Sequence, residues 1–230
     1  MSPDRFATIY GRALRRVRNA RAPPVTWWVA VPYQRDIGDF DQRARDYEQG
    51  WRGGMHEEIV QRTLGLALSF APSPRRVLDV GCGTGRLLRE LGRLVPRAEE
   101  LQGIDPAPSM VEVAARLSAG DPRIHIRQGF AEQLPFEDGT FDLLVTSTSF
   151  DHWRDQLGGL RECARVLEPG GRFVLCDVLS PLLVVTLPFG YQGRARTPGL
   201  ARGLLAAAGF SDIDLHSVYA SIISAFTARR

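Results

Sequence analysis

Val77-Leu78-Asp79-Val80-Gly81-Cys82-Gly83-Thr84-Gly85 passes from a short apolar run into three alternating glycines, and a helical pattern starts at Arg86. A buried strand that ends in a glycine-rich turn and feeds a helix is the opening unit of a doubly wound α/β sheet. Such sheets bind their ligands beyond the carboxyl ends of the strands. Gly81, Gly83 and Gly85 let the backbone turn sharply and approach a ligand, and Asp79 stands at the end of the strand. A dinucleotide fingerprint, G-x-G-x-x-G, counted from Gly81 needs a small residue at position 86, where this chain has Arg86. The observed G-x-G-x-G spacing therefore argues against a nicotinamide cofactor.

Downstream, short apolar runs alternate with polar punctuation and helical stretches, the rhythm of β-α-β units. Strands are predicted near Arg76 to Val80, Leu101 to Asp105, Ile124 to Arg127, Phe141 to Thr146 and Gly171 to Val178. Helices are predicted to start near Gly85, Ala107 and Asp155, and another runs from Pro198 through Ala208. Two last extended runs, Ile213 to Ala220 and Ser221 to Ala228, are split by little more than a turn. The predicted fold is a doubly wound, Rossmann-like seven-stranded sheet, parallel except for a terminal antiparallel hairpin strand.

Upstream, Phe6, Ile9, Tyr10, Ala13, Leu14 and Val17 recur at helical spacing, with Arg12, Arg15, Arg16 and Arg18 on the opposite face. Pro23-Pro24 ends this basic amphipathic helix, and the segment Val25 to Val31, with Trp27 and Trp28, reads as extended. Further helices are predicted from about Phe40 to Tyr47 and from Met55 to Phe70. Residues 1–39 are thus assigned to an N-terminal extension and 40–230 to the sheet domain. The arm's apolar face must be buried against the body as a lid, against a second subunit, or on an anionic surface. A lid or a homodimer element is the expected use.

Composition narrows the chemistry. All 29 basic residues are arginines, which removes Schiff-base lysine and P-loop chemistry. Seven arginines against two aspartates place the formal +3 of the chain within its first 38 residues and leave the rest slightly acidic. Cys82, Cys163 and Cys176 have the spacing of neither a disulfide framework nor a zinc site, so no metal is expected. There is no long apolar span and the N-terminus lacks a signal-peptide core, so the expected location is cytoplasmic without integral membrane association.

Taken together, Asp79-Val80-Gly81-Cys82-Gly83-Thr84-Gly85 resembles the first motif of the class I S-adenosylmethionine-dependent methyltransferases. Gly103-Ile104-Asp105 resembles the family's second strand, Phe141-Asp142-Leu143-Leu144-Val145 the fourth, and Leu167-Glu168-Pro169-Gly170-Gly171-Arg172-Phe173 the loop before the fifth. The resemblance spans roughly Phe40 to Arg229. It implies a methyltransferase with S-adenosylmethionine as cofactor and S-adenosylhomocysteine as product. It also implies a cofactor site built from Asp79, Gly81, Cys82, Gly83, Gly85, Asp105, Pro106, Met110, Phe130, Ala131, Thr146 and Tyr47. Asp105 would accept hydrogen bonds from the ribose hydroxyls; as an alternative it caps a helix. Tyr47 resembles a tyrosine near the methionine end of the cofactor, with ordinary helix packing as the alternative. Where the family often reads Gly-Asp-Ala-Glu, this chain reads Gly129-Phe130-Ala131-Glu132, so the usual side-chain acceptor for the adenine amino group is absent at position 130.

Methyl transfer needs aligned reactants and exclusion of water more than it needs elaborate protein chemistry. Thr146 to Trp153 resembles the family segment that faces the reacting methyl, so His152 is a candidate base and Asp151 its candidate partner; the alternative for His152 is packing. Ser180 to Tyr191 is strongly apolar and sits where relatives insert substrate-covering elements, which suits an apolar or aromatic small-molecule acceptor. A partner-subunit contact is the other reading of that stretch. The rival functions are methylation of nucleic acid, for which the body lacks positive charge, and non-catalytic binding of S-adenosylmethionine.

Overall fold

Branched and aromatic residues in short runs build a seven-stranded sheet, seen in a computed structural model that describes residues 37–48, 50–180, 197–219 and 222–230. The strands are β1 (Arg76–Val80), β2 (Glu100–Asp105), β3 (Ile124–Gln128), β4 (Phe141–Ser147), β5 (Leu167–Val178), β6 (Ser211–Tyr219) and β7 (Ile223–Arg229). Their order is β3-β2-β1-β4-β5-β7-β6. All neighbours are parallel except that β7 runs antiparallel to both β5 and β6. The expected terminal hairpin is present, with its second strand set between β5 and β6. The amphipathic arm and the stretch 181–196 fall outside the described residues, and with them the lid, dimer and acceptor-cover expectations.

The helices are α1 over 37–43, α2 (Gly50–Phe70), α3 (Arg86–Leu94), α4 (Pro108–Ser118), α5 (Gln156–Val166) and α6 (Pro198–Ala207). Successive side chains of a strand point to opposite faces. Val77, Leu143 and Val145 accordingly pack under α2 and α3 against Val60, Leu64, Leu87, Leu88 and Leu91. Leu78, Leu144, Phe173 and Leu175 face the other way, onto Leu160, Cys163, Ala201 and Leu205 of α5 and α6. Both faces are therefore covered, which is why the inner strands read as near-continuous apolar runs.

Local chemistry sets the element ends. Asp155 caps α5 by accepting from the Gly158 N–H at 3.0 Å, and Gly85, at φ 75°, turns the chain into α3. Asp142 accepts from the N–H groups of Arg75 and Arg76 at 2.7 and 3.2 Å, tying the start of β4 to the start of β1. Two details depart from the sequence expectation. Pro169-Gly170-Gly171, expected as a turn before the fifth strand, lies inside β5: Phe141 opposes Leu167 and Leu143 opposes Arg172, so the intervening residues bulge out with Gly170 at φ 79°. The helix predicted from Phe40 to Tyr47 stops at residue 43, and 44–48 form turns. Among the described residues, no helix is long and apolar enough to cross a membrane.

Leu88 is fully buried where α3 meets β1 and β2. Leu88→Ala should lower the unfolding free energy by about 2–5 kcal/mol, read by urea titration, as deletion of a buried leucine side chain does.

Candidate active site

A cleft opens at the carboxyl ends of β1, β2 and β4. The chain leaves β1 toward β2 on one side while β4 lies on the other, so this is the switch point at which doubly wound sheets bind ligands. Its walls come from the glycine-rich loop, the ends of β2 and β4, the segment 129–132, the turn 147–153, and residues 37–60.

The three glycines of the loop have different physical jobs. A Cβ on Gly81 (φ 77°) would lie 2.3 Å from Cβ and Oγ of Ser149, so this glycine lets the loop touch the end of β4. A Cβ on Gly85 would press on Ala114 at 3.2 Å, so this one lets α3 and α4 approach. Only at Gly83 (φ 52°) would a Cβ meet nothing within 4 Å. That open side belongs to a residue lining the cleft.

Asp105, at the tip of β2, accepts from the Gly83 N–H through Oδ2 and from the Ala107 N–H through Oδ1, both at 2.9 Å. A carboxylate has about four lone-pair directions, so roughly half remain for a ligand. Burial raises its pKa, and the Ala107 and Gly83 N–H groups pull it back down. Asp79 is 2% exposed and also lines the cleft. Burial, together with the Asp105 charge, pushes it up to about 8. Two acidic groups in a desolvated wall favour a ligand that brings hydrogen-bond donors or positive charge.

Of the residues singled out from sequence, Tyr47, Asp79, Gly81, Cys82, Gly83, Asp105, Pro106, Met110, Phe130, Ala131 and His152 line this one cleft. Three do not. Gly85 is occupied with helix packing. Thr146 is fully buried and bonds Ser149 Oγ at 2.7 Å; that hydroxyl donates to the Val80 carbonyl at 2.9 Å, so Thr146 braces the β4 tip from behind. Asp151 is buried in the 3-10 turn Phe150–His152, and its N–H donates to Asp177 Oδ2 at 3.2 Å. The turn thereby presents His152 to the cleft, while Asp151 is outside its lining.

The sequence reading missed His56, Thr148 and Glu48. Glu48 accepts from Thr84 Oγ1 at 2.5 Å and from Arg89 at 2.7 Å, and pairs with Arg86 at 3.1 Å. Burial alone would raise its pKa, but the bonds from Thr84 and Arg89 and the charges of Arg89 and Arg86 hold it low. At the other end of this segment, Asp41 accepts from the Ser109 N–H at 2.7 Å, at the start of α4. Ala44 is buried against Ala107, Met110 and Val113. Residues 37–48 are thus strapped across the start of α3 and the start of α4. Phe40 and Tyr47 from the strap, His56 and His152 form an edge-to-face chain of rings with centroids 5.0 to 6.3 Å apart along one wall.

Comparison with known proteins accords with this geometry. Residues 78–175 match the family model described as a methyltransferase domain. Demethylmenaquinone methyltransferase of Deinococcus radiodurans is 38% identical over 136 residues, covering 58% of this chain and 52% of the relative. An uncharacterized methyltransferase, YcgJ, of Bacillus subtilis is 37% identical over 144 residues, covering 60% and 56%. The crystal structure of the Bacillus subtilis YcgJ protein superposes with a TM-score of 0.59 at 29% identity, over 68% of this chain and 71% of that one. The chain spans about half the length of the curated relatives it matches.

The raised Asp79 pKa has a thermodynamic consequence. Its folded value lies above its value in the unfolded chain, so the stability it contributes is full below about pH 4 and is lost as pH rises through about 8. Asp79→Asn, neutral throughout, should flatten the decline of unfolding free energy over that window in urea titrations at stepped pH. An unchanged slope would show that Asp79 is not buried as described.

Proposed function

We propose that residues 78–175, which match the model described as a methyltransferase domain, form a class I S-adenosylmethionine-dependent methyltransferase domain, and that the protein methylates a small apolar or aromatic acceptor, releasing S-adenosylhomocysteine. The observation that carries the proposal is the joining, in one cleft, of an acidic glycine-lined half to a half walled by aromatic rings.

The acidic half fits the cofactor. The open side of Gly83 admits a ligand against the backbone, the free lone pairs of Asp105 suit a ribose diol, and Asp79 suits the ammonium group of the methionine part. Pro106, Met110, Phe130 and Ala131 supply apolar walls for adenine. Phe130 offers no acceptor, but Glu132 lines the cleft with one oxygen accepting from the Asp155 N–H at 2.9 Å. Its second oxygen is the proposed acceptor for the adenine amino group. When bound, S-adenosylmethionine supplies an electrophilic methyl on a positively charged sulfur.

The aromatic half receives the acceptor. Phe40, Tyr47, His56, His152 and Trp153 present flat surfaces that stack on a planar ring and exclude water from it. His152 faces the acceptor from the 3-10 turn, and Asp151 is assigned to holding that turn rather than to proton transfer. Tyr47 stays protonated, its pKa raised by burial and by Asp105, and serves as a hydrogen-bond donor. The names of two relatives, demethylmenaquinone methyltransferase and ubiquinone/menaquinone biosynthesis C-methyltransferase, favour a quinone-like ring as the acceptor class. Residues 1–39 are proposed as a lid or dimer element over this half.

Asp105→Ala should weaken S-adenosylmethionine binding by about 1.5–3 kcal/mol, the range for hydrogen bonds to a charged group, in titration calorimetry on protein of unchanged circular dichroism. Equal affinity in the variant would remove the ribose assignment. Radiolabelled methyl uptake by hydroxylated aromatic acceptors, against RNA as the control, tests the acceptor class.

A further inference from the structure

His56 enters the cleft from α2 beside Tyr47, with the two ring centroids 5.2 Å apart, and its Nε2 lies 3.4 Å from Thr148 Oγ1. The hydroxyl of Thr148 has one hydrogen, and Oγ1 also sits 2.8 Å from the carbonyl oxygen of Ser147, which can only accept. The shorter contact takes that hydrogen. Thr148 Oγ1 then offers a lone pair to His56, so Nε2 carries the ring proton and Nδ1 carries the free lone pair. Thr148 is itself fixed: its N–H donates to the Cys176 carbonyl at 2.8 Å and its φ is 53°. A β-branched residue rarely adopts that conformation, and such strain gathers at functional sites.

We propose that His56, its tautomer set by Thr148, accepts the proton of an acidic hydroxyl, phenol or enol, on the bound acceptor. The proposal rests on the methyl-transfer reading above and assigns the proton acceptor that reading lacks. The acceptor's O–H bond breaks, its electron pair stays on oxygen, and the proton passes to Nδ1. The oxyanion left behind is the nucleophile, and the imidazolium returns its proton to water through the mouth of the cleft. Burial, reinforced by the Arg86 charge and partly offset by Glu48, holds the imidazole below its ordinary pKa, so it is neutral at physiological pH. The charged or titratable groups around it are Arg86 on α3, paired with Glu48 and Glu57, Tyr47 on the strap, and Asp79, Asp105 and His152 on the other walls.

The test uses the full chain saturated with S-adenosylhomocysteine, whose binding is first measured by calorimetry, and 4-nitrophenol as probe. The probe's anion absorbs visible light, and the pH is chosen so that free probe is mostly colourless. The bound probe's visible absorbance should report a measurable anion fraction in the native protein. In His56→Gln the ratio of anion to neutral probe should fall about tenfold or more, with Thr148→Ala falling too and Thr148→Ser restoring it. Side-chain ¹⁵N spectra should show the Nε2–H tautomer of His56. Unaltered ionisation in His56→Gln, loss of ionisation in His152→Gln alone, an Nδ1–H tautomer, or no probe binding to the complex would each overturn the role of His56. Failure of S-adenosylhomocysteine to bind would instead overturn the methyl-transfer reading, and this proposal with it.

Discussion

The carboxylate of Asp105 is the constraint on which the site depends. Its two oxygens hold the Gly83 and Ala107 N–H groups, and its main-chain carbonyl accepts from the Gly129 N–H at 3.1 Å. One residue thereby fixes the loop after β1, the entry to α4 and the exit of β3. A buried carboxylate without such donors would be costly, so the loop geometry and the charge support each other. The same bonds leave the unsatisfied part of the carboxylate on the cleft side.

Around that point the chain separates two tasks. Sheet and helices form a rigid floor, since the inner strands are packed on both faces and Leu78, Leu88, Leu101 and Leu144 are fully buried. The roof is a short strap held by Asp41, Ala44 and Glu48. The pairs of Glu48 with Arg86 and Arg89 are largely shielded from water and so poorly screened, whereas Arg75 with Glu99 on the surface adds little. The strap is thus held by polar latches at Asp41 and Glu48 together with an apolar contact around Ala44.

The sheet was legible because every strand of the core carries its own signal. Val77 to Gly85 and Gly103 to Asp105 combine buried runs with punctuation that only a strand end requires, and most of the residues inferred from them do meet in the cleft. Legibility failed where function depends on which way a side chain turns. Nothing in the sequence says that Gly85 faces Ala114, that Thr146 braces Ser149, or that Asp151 turns inward beside a histidine that faces the cleft. His56 was hidden because its partner, Thr148, is 92 residues away and no local spacing relates them. The ion pairs of Glu48 were hidden for the same reason, although an acidic residue following Tyr47 and two arginines one helical turn apart, Arg86 and Arg89, left a faint signal.

We propose that one cleft, organised by Asp105, holds S-adenosylmethionine. Amide ¹H–¹⁵N spectra recorded during titration with S-adenosylhomocysteine test it most directly. Saturable shifts should concentrate at Gly81, Cys82, Gly83, Ala107 and Ala131, whose backbone surrounds the acidic half of the cleft. Shifts absent there and clustered instead on the outer strand β6, or no saturable shifts at all, would contradict the account.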